Sequence, residues 1–169
     1  MTTPPPSHVR PAVARDTDAI VDAVLASGLF GADDIGVAVT LLIEHFAQPA
    51  SDHVCLVPGN ADAVDGVAYA QPTPAADRVW YLTMIAARPD AQRSGAGTAL
   101  LRAVETELTA RGQRLLLIET SALPDYESAR RFYARAGYDE EARVRDFHED
   151  GDDMVLFWKR LTPPSVPSA

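Results

Sequence analysis

One strand–turn–helix unit constrains this chain more than any other feature of its sequence. An apolar run at Val79–Ala87 is rich in β-branched and aromatic residues, which predicts a strand buried on both faces, and Pro89 closes it. Apolar residues then repeat at helical spacing, at Leu100, Leu101, Val104 and Leu108. Gly112 supplies a stop for that helix. The order predicts a strand that leads into a helix through a short turn.

The turn is the segment Gln92-Arg93-Ser94-Gly95-Ala96-Gly97. Free N–H groups in the first turn of a helix bind anions, and glycines let the backbone approach a ligand closely, so the segment predicts a phosphate-binding turn. Glycines that serve only the geometry of the turn are the open alternative. Neither a Gly-x-x-x-x-Gly-Lys-Ser/Thr motif nor the third glycine of a dinucleotide fingerprint is present.

The same six residues fit Gln/Arg-x-x-Gly-x-Gly/Ala, and this pattern after a strand resembles the acyl-coenzyme A signature of the GNAT superfamily of N-acetyltransferases. A second segment, Ala129–Tyr138, resembles the family's Ala-x-x-Phe-Tyr-x-x-x-Gly-Phe motif, with Tyr138 in place of the last phenylalanine. Between the two motifs, Leu115–Ile118 has the apolar character of the next parallel strand. The resemblance covers approximately Val9 to Leu161 and is strongest from Val79 onward.

The resemblance implies an α/β (α+β) fold in one GNAT-like domain, residues 9–161, with a mixed central sheet flanked by helices and parallel strands that splay around the acyl-coenzyme A site. Proline-rich stretches at 1–8 and 162–169 are expected to be flexible tails. Hydrophobic patterning predicts the following elements: a strand at Val9–Ala14, a helix from Asp16 to Gly28, a helix capped by Asp33 or Asp34, strands at Val54–Val57, Val64–Gln71 and Val79–Ala87, a helix to Ala110, a strand at Leu115–Thr120, a helix at Glu127–Ala136, and strands at Tyr138–Val144 and Met154–Lys159.

The resemblance also implies direct transfer of an acetyl group from acetyl-coenzyme A to a primary amine of a small-molecule or amino-acid-like acceptor, in a ternary complex. The residues implied to bind the donor are Gln92, Arg93, Ser94, Gly95, Ala96, Gly97 and Thr98 for the pyrophosphate, and Ile85, Ala86 and Ala87 for the pantetheine arm. Arg93 adds a side-chain contact, and an amide near Ile85 would stabilise the thioester oxygen. A non-catalytic acyl-coenzyme A sensor or interaction domain is the alternative.

Two residues are candidates for moving protons. Tyr133 occupies the family position of the general acid, although a tyrosine there could also pack with a satisfied hydroxyl. Glu119 is the candidate base and would act through a water. The alternative is that Glu119 is a solvated residue at the end of a strand, a position where acidic side chains are common. Tyr81 is a rival organiser of that water. Tyr126 stands where many relatives have asparagine, which puts cofactor contacts of that loop in doubt and favours a role in shaping the acceptor entrance.

Composition limits the partners. A formal net charge of −9 argues against nonspecific nucleic-acid binding, yet residues 88–102 carry three arginines against one acid, so the predicted donor turn is locally basic. The acidic stretch 146–153 either attracts a cationic amine or forms a hairpin tip. No apolar run approaches the ~20 residues of a membrane helix, which predicts a cytoplasmic protein with no membrane partner. The four histidines are scattered without ligand spacing, so no metal site is predicted. Cys55 is expected in the core. The resemblance to the family is compatible with a homodimer.

Overall fold

The computed structural model describes residues 8–28, 34–48, 52–58, 64–92 and 94–161. Its strands are β1 (Val9–Pro11), β2 (Val54–Pro58), β3 (Gly66–Pro72), β4 (Val79–Ala87), β5 (Leu115–Ser121), β6 (Asp139–Glu149) and β7 (Asp152–Arg160). Its helices are α1 (Thr17–Ser27), α2 (Asp34–Ala47), α3 (Pro89–Gln92), α4 (Ala96–Ala110) and α5 (Glu127–Arg135), with 3-10 turns at Ala14–Asp16 and Pro124–Tyr126.

Within the described ranges, seven strands form one mixed sheet in the order β1-β2-β3-β4-β5-β7-β6. The β4–β5 pair is parallel, whereas β1–β2, β2–β3, β5–β7 and β6–β7 are antiparallel. The predicted α/β class with a mixed sheet is therefore confirmed. The chain divides into two compact units, which we describe separately: Met1–Gln71 with Met84–Val104, and Pro72–Thr83 with Glu105–Ala169.

The first unit is built on amphipathic helices α1 and α2, as their apolar spacing predicts. Ile20, Val24 and Leu42 are fully buried in its core, while Leu25 of α1 is 52% exposed. Strand β1 ends at Pro11 rather than at the predicted Ala14, because the chain turns there into a 3-10 helix. Asp16 precedes α1 as predicted, but its carboxylate accepts hydrogen bonds from Arg10 (2.7 and 3.0 Å) and from the Val13 amide (2.9 Å) instead of capping α1.

The parallel pairing of β4 with β5 is short. It joins Val79–Tyr81 to Leu115–Leu117 and does not continue to Leu82 and Thr83, whereas β5 pairs with β7 along its whole length. The two parallel strands therefore splay, as predicted. The predicted burial of β4 on both faces is wrong: Thr83 is exposed and Tyr81 and Ile85 are half-buried, so one face of the strand is open in its middle.

The second unit contains the elements that the motifs predicted best. Helix α5 begins at Glu127 as expected, and Gly112 adopts φ +72° just after α4 ends. Strand β6 continues to Glu149, five residues beyond its predicted end, so the acidic stretch 146–153 forms the tip of the β6–β7 hairpin. The predicted tails, apart from His8, lie outside the described residues. None of the helices in the described ranges has the length and apolar character needed to cross a membrane.

Candidate active site

The predicted donor segment lies in the first unit, where β4 leads through α3 into α4. Gly95 adopts φ +87°, a left-handed conformation that favours glycine, immediately before α4 begins at Ala96. Gln92, Ser94, Gly95 and Thr98 are exposed, so this turn is open to a ligand. Arg93 lies outside the described residues.

The backbone amides of the turn are not equally available to an anion. Gln92 N–H donates to the Arg88 carbonyl at 2.8 Å, and Ser94 N–H donates to the Ala91 carbonyl at 3.1 Å. The Ala99 amide closes the first turn of α4 on the Gly95 carbonyl at 3.0 Å. The amides of residues 96–98 precede that bond, at the helix end where no earlier turn of α4 accepts their hydrogen bonds. Within the described part of the turn, the amides of residues 96–98 are therefore the candidates for binding an anion.

The Gln92 side chain makes a structural contact within this turn. Its side-chain Nε2 donates a 2.8 Å hydrogen bond to the Ala87 carbonyl, which ties α3 to the end of β4. Ala87 packs with Ala91 and Ala96 in a small buried cluster. These small side chains let the strand end, α3 and the start of α4 lie close together. Ile85 is half-buried and Ala86 is buried in the preceding strand.

Tyr133 lies on α5 in the second unit and is buried. The residue is 7% exposed, and its ring packs against those of Tyr138 and Phe157, with centroid distances of 6.4 and 5.6 Å. None of the hydrogen bonds among the described residues involves its hydroxyl. Burial raises the pKa of Tyr133 to about 12.

Glu119 and Tyr133 lie on opposite faces of the β5–β7 ladder. Tyr133 packs on Phe157, which pairs with Ile118, whereas Glu119 is the next residue along β5 and points to the other face. Glu119 is exposed, and Tyr81 lies close to it on that same face. Burial, the negative charge of Glu119 and a hydrogen bond to its carboxylate all raise the pKa of the Tyr81 phenol.

The loop after β5 is fixed by a second network. Ser121 and Asp152 are both buried, and the Ser121 hydroxyl donates to Asp152 Oδ1 at 2.6 Å while accepting the Leu123 amide at 3.0 Å. Arg130 Nη1 donates to the carbonyls of Ser121 and Leu123 at 2.6 and 2.9 Å. Tyr126, the residue that departs from the family pattern, is half-buried in the 3-10 turn that follows.

The remaining candidates are accounted for by packing. Cys55 is buried in the core as predicted, and burial together with the charge of Asp16 raises the pKa of its thiol to about 12. His53 Nδ1 lies 2.6 Å from the hydroxyl of the fully buried Tyr69. Over the residues that the structure describes, no three His, Cys, Asp or Glu side chains come together as metal ligands.

Sequence reasoning missed α3, the role of Gln92 in holding β4, and the Ser121–Asp152 pair. Helix α3 has four residues, too few for a hydrophobic period, although Pro89 at its first position was a usable signal. The Ser121–Asp152 pair joins residues 31 positions apart, so it depends on strand pairing and has no local signature.

The chain is similar to known acetyltransferases in sequence and in structure. A model of the acetyltransferase (GNAT) family matches residues 31–138. No curated protein matches the chain significantly. Among solved structures, a GNAT-family protein from Desulfovibrio desulfuricans has 32% sequence identity and a TM-score of 0.86, with 92% of this chain and 99% of that one covered.

Two more distant structures share the fold. The ribosomal-protein-S18-alanine N-acetyltransferase of Escherichia coli has 19% identity and a TM-score of 0.71, covering 96% of this chain and 98% of its own. An aminoglycoside 6'-N-acetyltransferase complexed with coenzyme A has 15% identity and a TM-score of 0.75, covering 94% and 99%. The family match and the relative at 32% identity together show that this chain belongs to the GNAT family of acetyltransferases.

Proposed function

We propose that this chain transfers the acetyl group of acetyl-coenzyme A to a primary amine of a small molecule or amino-acid-like acceptor, by direct attack in a ternary complex. The observation that carries the mechanism is the position of Glu119 and Tyr133 on opposite faces of the β5–β7 ladder. Direct displacement needs a base on the side of the incoming amine and a hydrogen-bond donor on the side of the leaving sulfur. The opposite orientation of the two side chains supports these two roles.

Donor binding is proposed for the turn before α4. The amides of Ala96, Gly97 and Thr98, at the positive end of the helix dipole, would bind the pyrophosphate, with Arg93 as a further contact. Backbone groups of Ile85, Ala86 and Ala87 would bind the pantetheine arm, and an amide near Ile85 would stabilise the thioester oxygen. Ser94 and Gly95 shape the turn, and Gln92 holds it against β4.

Proton transfer from the acceptor is the step that needs a base. An alkylammonium ion has a pKa of about 10.4, so exposing its free amine at pH 7 costs roughly 4.6 kcal/mol. Glu119 would take this proton through a water, and Tyr81, which lies near it, would hold that water in place. The exposed position of Glu119 leaves room for the water and for a cationic acceptor.

The leaving sulfur needs stabilisation more than it needs a strong acid. A thiol has a pKa of about 8.5, so full proton transfer from a phenol whose pKa is about 12 would be unfavourable by about 5 kcal/mol. We therefore assign Tyr133 as a general acid that acts mainly by donating a hydrogen bond to the developing thiolate. Its hydroxyl makes no hydrogen bond with the described residues, and its raised pKa keeps it protonated throughout the neutral range.

The test is an assay of free coenzyme A release from acetyl-coenzyme A with a panel of amines, including alkylamines, amino acids, aminoglycosides and peptides with a free N-terminus. We expect thiol release that depends on one class of amine, with the acetylated amine identified by mass spectrometry. Relatives of the same fold are named for substrates as different as a ribosomal protein and aminoglycosides, so the panel must span both. Coenzyme A binding without acetylation of any amine would support the sensor alternative, and no binding at millimolar concentration would refute the donor assignment.

A further inference from the structure

We infer that Gly66, the first residue of β3, positions the donor-binding end of β4. The inference rests on the proposed function, because it concerns the segment assigned to the pantetheine arm. Gly66 does not have a positive φ, so conformational freedom does not explain the glycine. A glycine is needed because the backbone of β4 lies too close to position 66 to leave room for a side chain.

A side chain at position 66 would collide with backbone atoms. A Cβ atom added to Gly66 would lie 2.7 Å from the Ala86 carbonyl oxygen, 3.2 Å from the Ala87 Cα and 3.3 Å from the Ala87 Cβ. The first distance is shorter than carbon–oxygen contact allows, and a backbone carbonyl in a strand cannot rotate away as a flexible side chain can. Any larger residue at this position must therefore displace Ala86 and Ala87.

Neighbouring hydrogen bonds fix the same junction. Directly before Gly66, the Asp65 carbonyl accepts a 2.8 Å hydrogen bond from the amide of Arg88, the residue that follows β4. The Ala87 carbonyl accepts the Gln92 side chain at 2.8 Å, and the Gln92 amide bonds to Arg88. The start of β3 thus sets where β4 ends and where α3 begins, so a shift of Ala86 and Ala87 would be passed on to the turn before α4.

The experiment compares Gly66→Ala with the matched control Gly36→Ala. Gly36 lies in α2, and a Cβ atom there would meet no heavy atom within 4 Å. Coenzyme A affinity is measured by calorimetry and folding by thermal unfolding. We expect the dissociation constant for coenzyme A to rise about tenfold in folded Gly66→Ala, since a shift of a few tenths of an ångström misaligns the donor-binding backbone. Gly36→Ala should bind coenzyme A like the wild type.

Several outcomes separate this inference from the proposed function. A folded Gly66→Ala protein with wild-type affinity overturns the inference, while wild-type protein that binds no coenzyme A overturns the proposed function and the inference with it. A loss of thermal stability without a change in the dissociation constant identifies a merely structural glycine and also overturns the inference. If Gly66→Ala does not fold, hydrogen exchange of backbone amides in the wild type tests the inference instead. Bound coenzyme A should slow exchange of the Arg88 amide. Exchange of the Ala12 amide, which is bonded to the Cys55 carbonyl, should stay unchanged. Unchanged exchange at Arg88 with coenzyme A bound would overturn the inference.

Discussion

The Tyr138 hydroxyl donates a 2.8 Å hydrogen bond to the Glu105 carboxylate. Lys159 Nζ donates to both oxygens of the same carboxylate, at 3.0 and 3.1 Å, and to the Ala136 carbonyl at 2.9 Å. Burial, followed by the charge of Glu105 and the hydrogen bond to it, raises the pKa of Tyr138. The tyrosine that replaces the family's phenylalanine therefore brings its own polar partners, and it ties the end of α5 to α4 and β7.

Removing Lys159 should destabilise the fold. Lys159→Met leaves the partly buried Glu105 without its cation and Ala136 without a donor, so we expect a loss of about 2 kcal/mol in the free energy of unfolding, below the cost of breaking a fully buried pair. Urea denaturation measures it. Arg143→Met is the control: its ion pair with Glu140, at 3.1 Å, is 46% exposed on each side and should contribute less than about 0.5 kcal/mol. Equal stability of the two variants would contradict the role given to Glu105.

Tyr133→Phe should lower turnover without lowering stability. Its hydroxyl has no hydrogen-bond partner among the described residues, so nothing in the folded protein is lost with it. We expect kcat to fall by about 100-fold, since the hydroxyl stabilises the leaving sulfur, and coenzyme A affinity to remain unchanged. Tyr138→Phe is the matched control, because its hydroxyl is bonded to Glu105 and its loss should reduce stability rather than the chemical step. Unchanged kcat in Tyr133→Phe would remove the general-acid assignment.

Glu119→Gln should give a loss of turnover that depends on pH. Below the pKa of the acceptor amine the variant lacks a base, so we expect kcat to fall by about 100-fold near pH 7 and to recover as the free amine becomes abundant at higher pH. An independent readout is the titration of Tyr81 by NMR: its pKa should fall toward the usual value, because the charge and hydrogen bond of Glu119 are gone. A pH–rate profile identical to the wild type would exclude Glu119 from the mechanism.

Local patterns predicted the elements that depend on nearby residues. The helical spacing and the Gly112 stop predicted where α4 ends at Ala110, and the second motif predicted α5 to within one residue at its end. Burial was harder to predict, because it depends on what packs against each face. Thr83 is exposed although it lies in an apolar run, and the parallel pairing of β4 ends two residues before it, at Tyr81.

The sequence allowed the candidate site residues to be named, but not their arrangement in space. Motifs pointed to Tyr133 and to the turn before α4, yet the opposite placement of Glu119 and Tyr133 follows from the pairing of Ile118 with Phe157, which joins distant parts of the chain. The same holds for Gly66, whose importance depends on a contact with Ala86, 20 positions later in the sequence.

Ser121→Ala should weaken acceptor binding more than donor binding. The hydroxyl joins Asp152 to the Leu123 amide, so its loss frees the loop that we expect to shape the acceptor entrance. We expect the acceptor KM to rise about tenfold and the free energy of unfolding to fall by about 1–2 kcal/mol. Calorimetry should show unchanged coenzyme A affinity, and Ser128→Ala, at an exposed position of α5, should match the wild type throughout. An unchanged acceptor KM would show that this loop does not contribute to acceptor binding.

Stability should fall in alkaline solution because several tyrosines, Tyr133 and Tyr69 among them, ionise less readily in the folded state. Burial raises the pKa of Tyr133 to about 12, and burial with the charges of Cys55 and Glu44 raises that of Tyr69 to about 12. A raised pKa means that the folded state holds the proton more tightly than the unfolded chain. This stabilisation is complete below about pH 10 and is lost as the pH rises to about 12, by about 2.7 kcal/mol for each group. Urea denaturation at a series of pH values should show this loss, and Tyr133→Phe should reduce its slope while matching the wild type at pH 7. Equal slopes in both proteins would show that ionisation of Tyr133 is not coupled to unfolding.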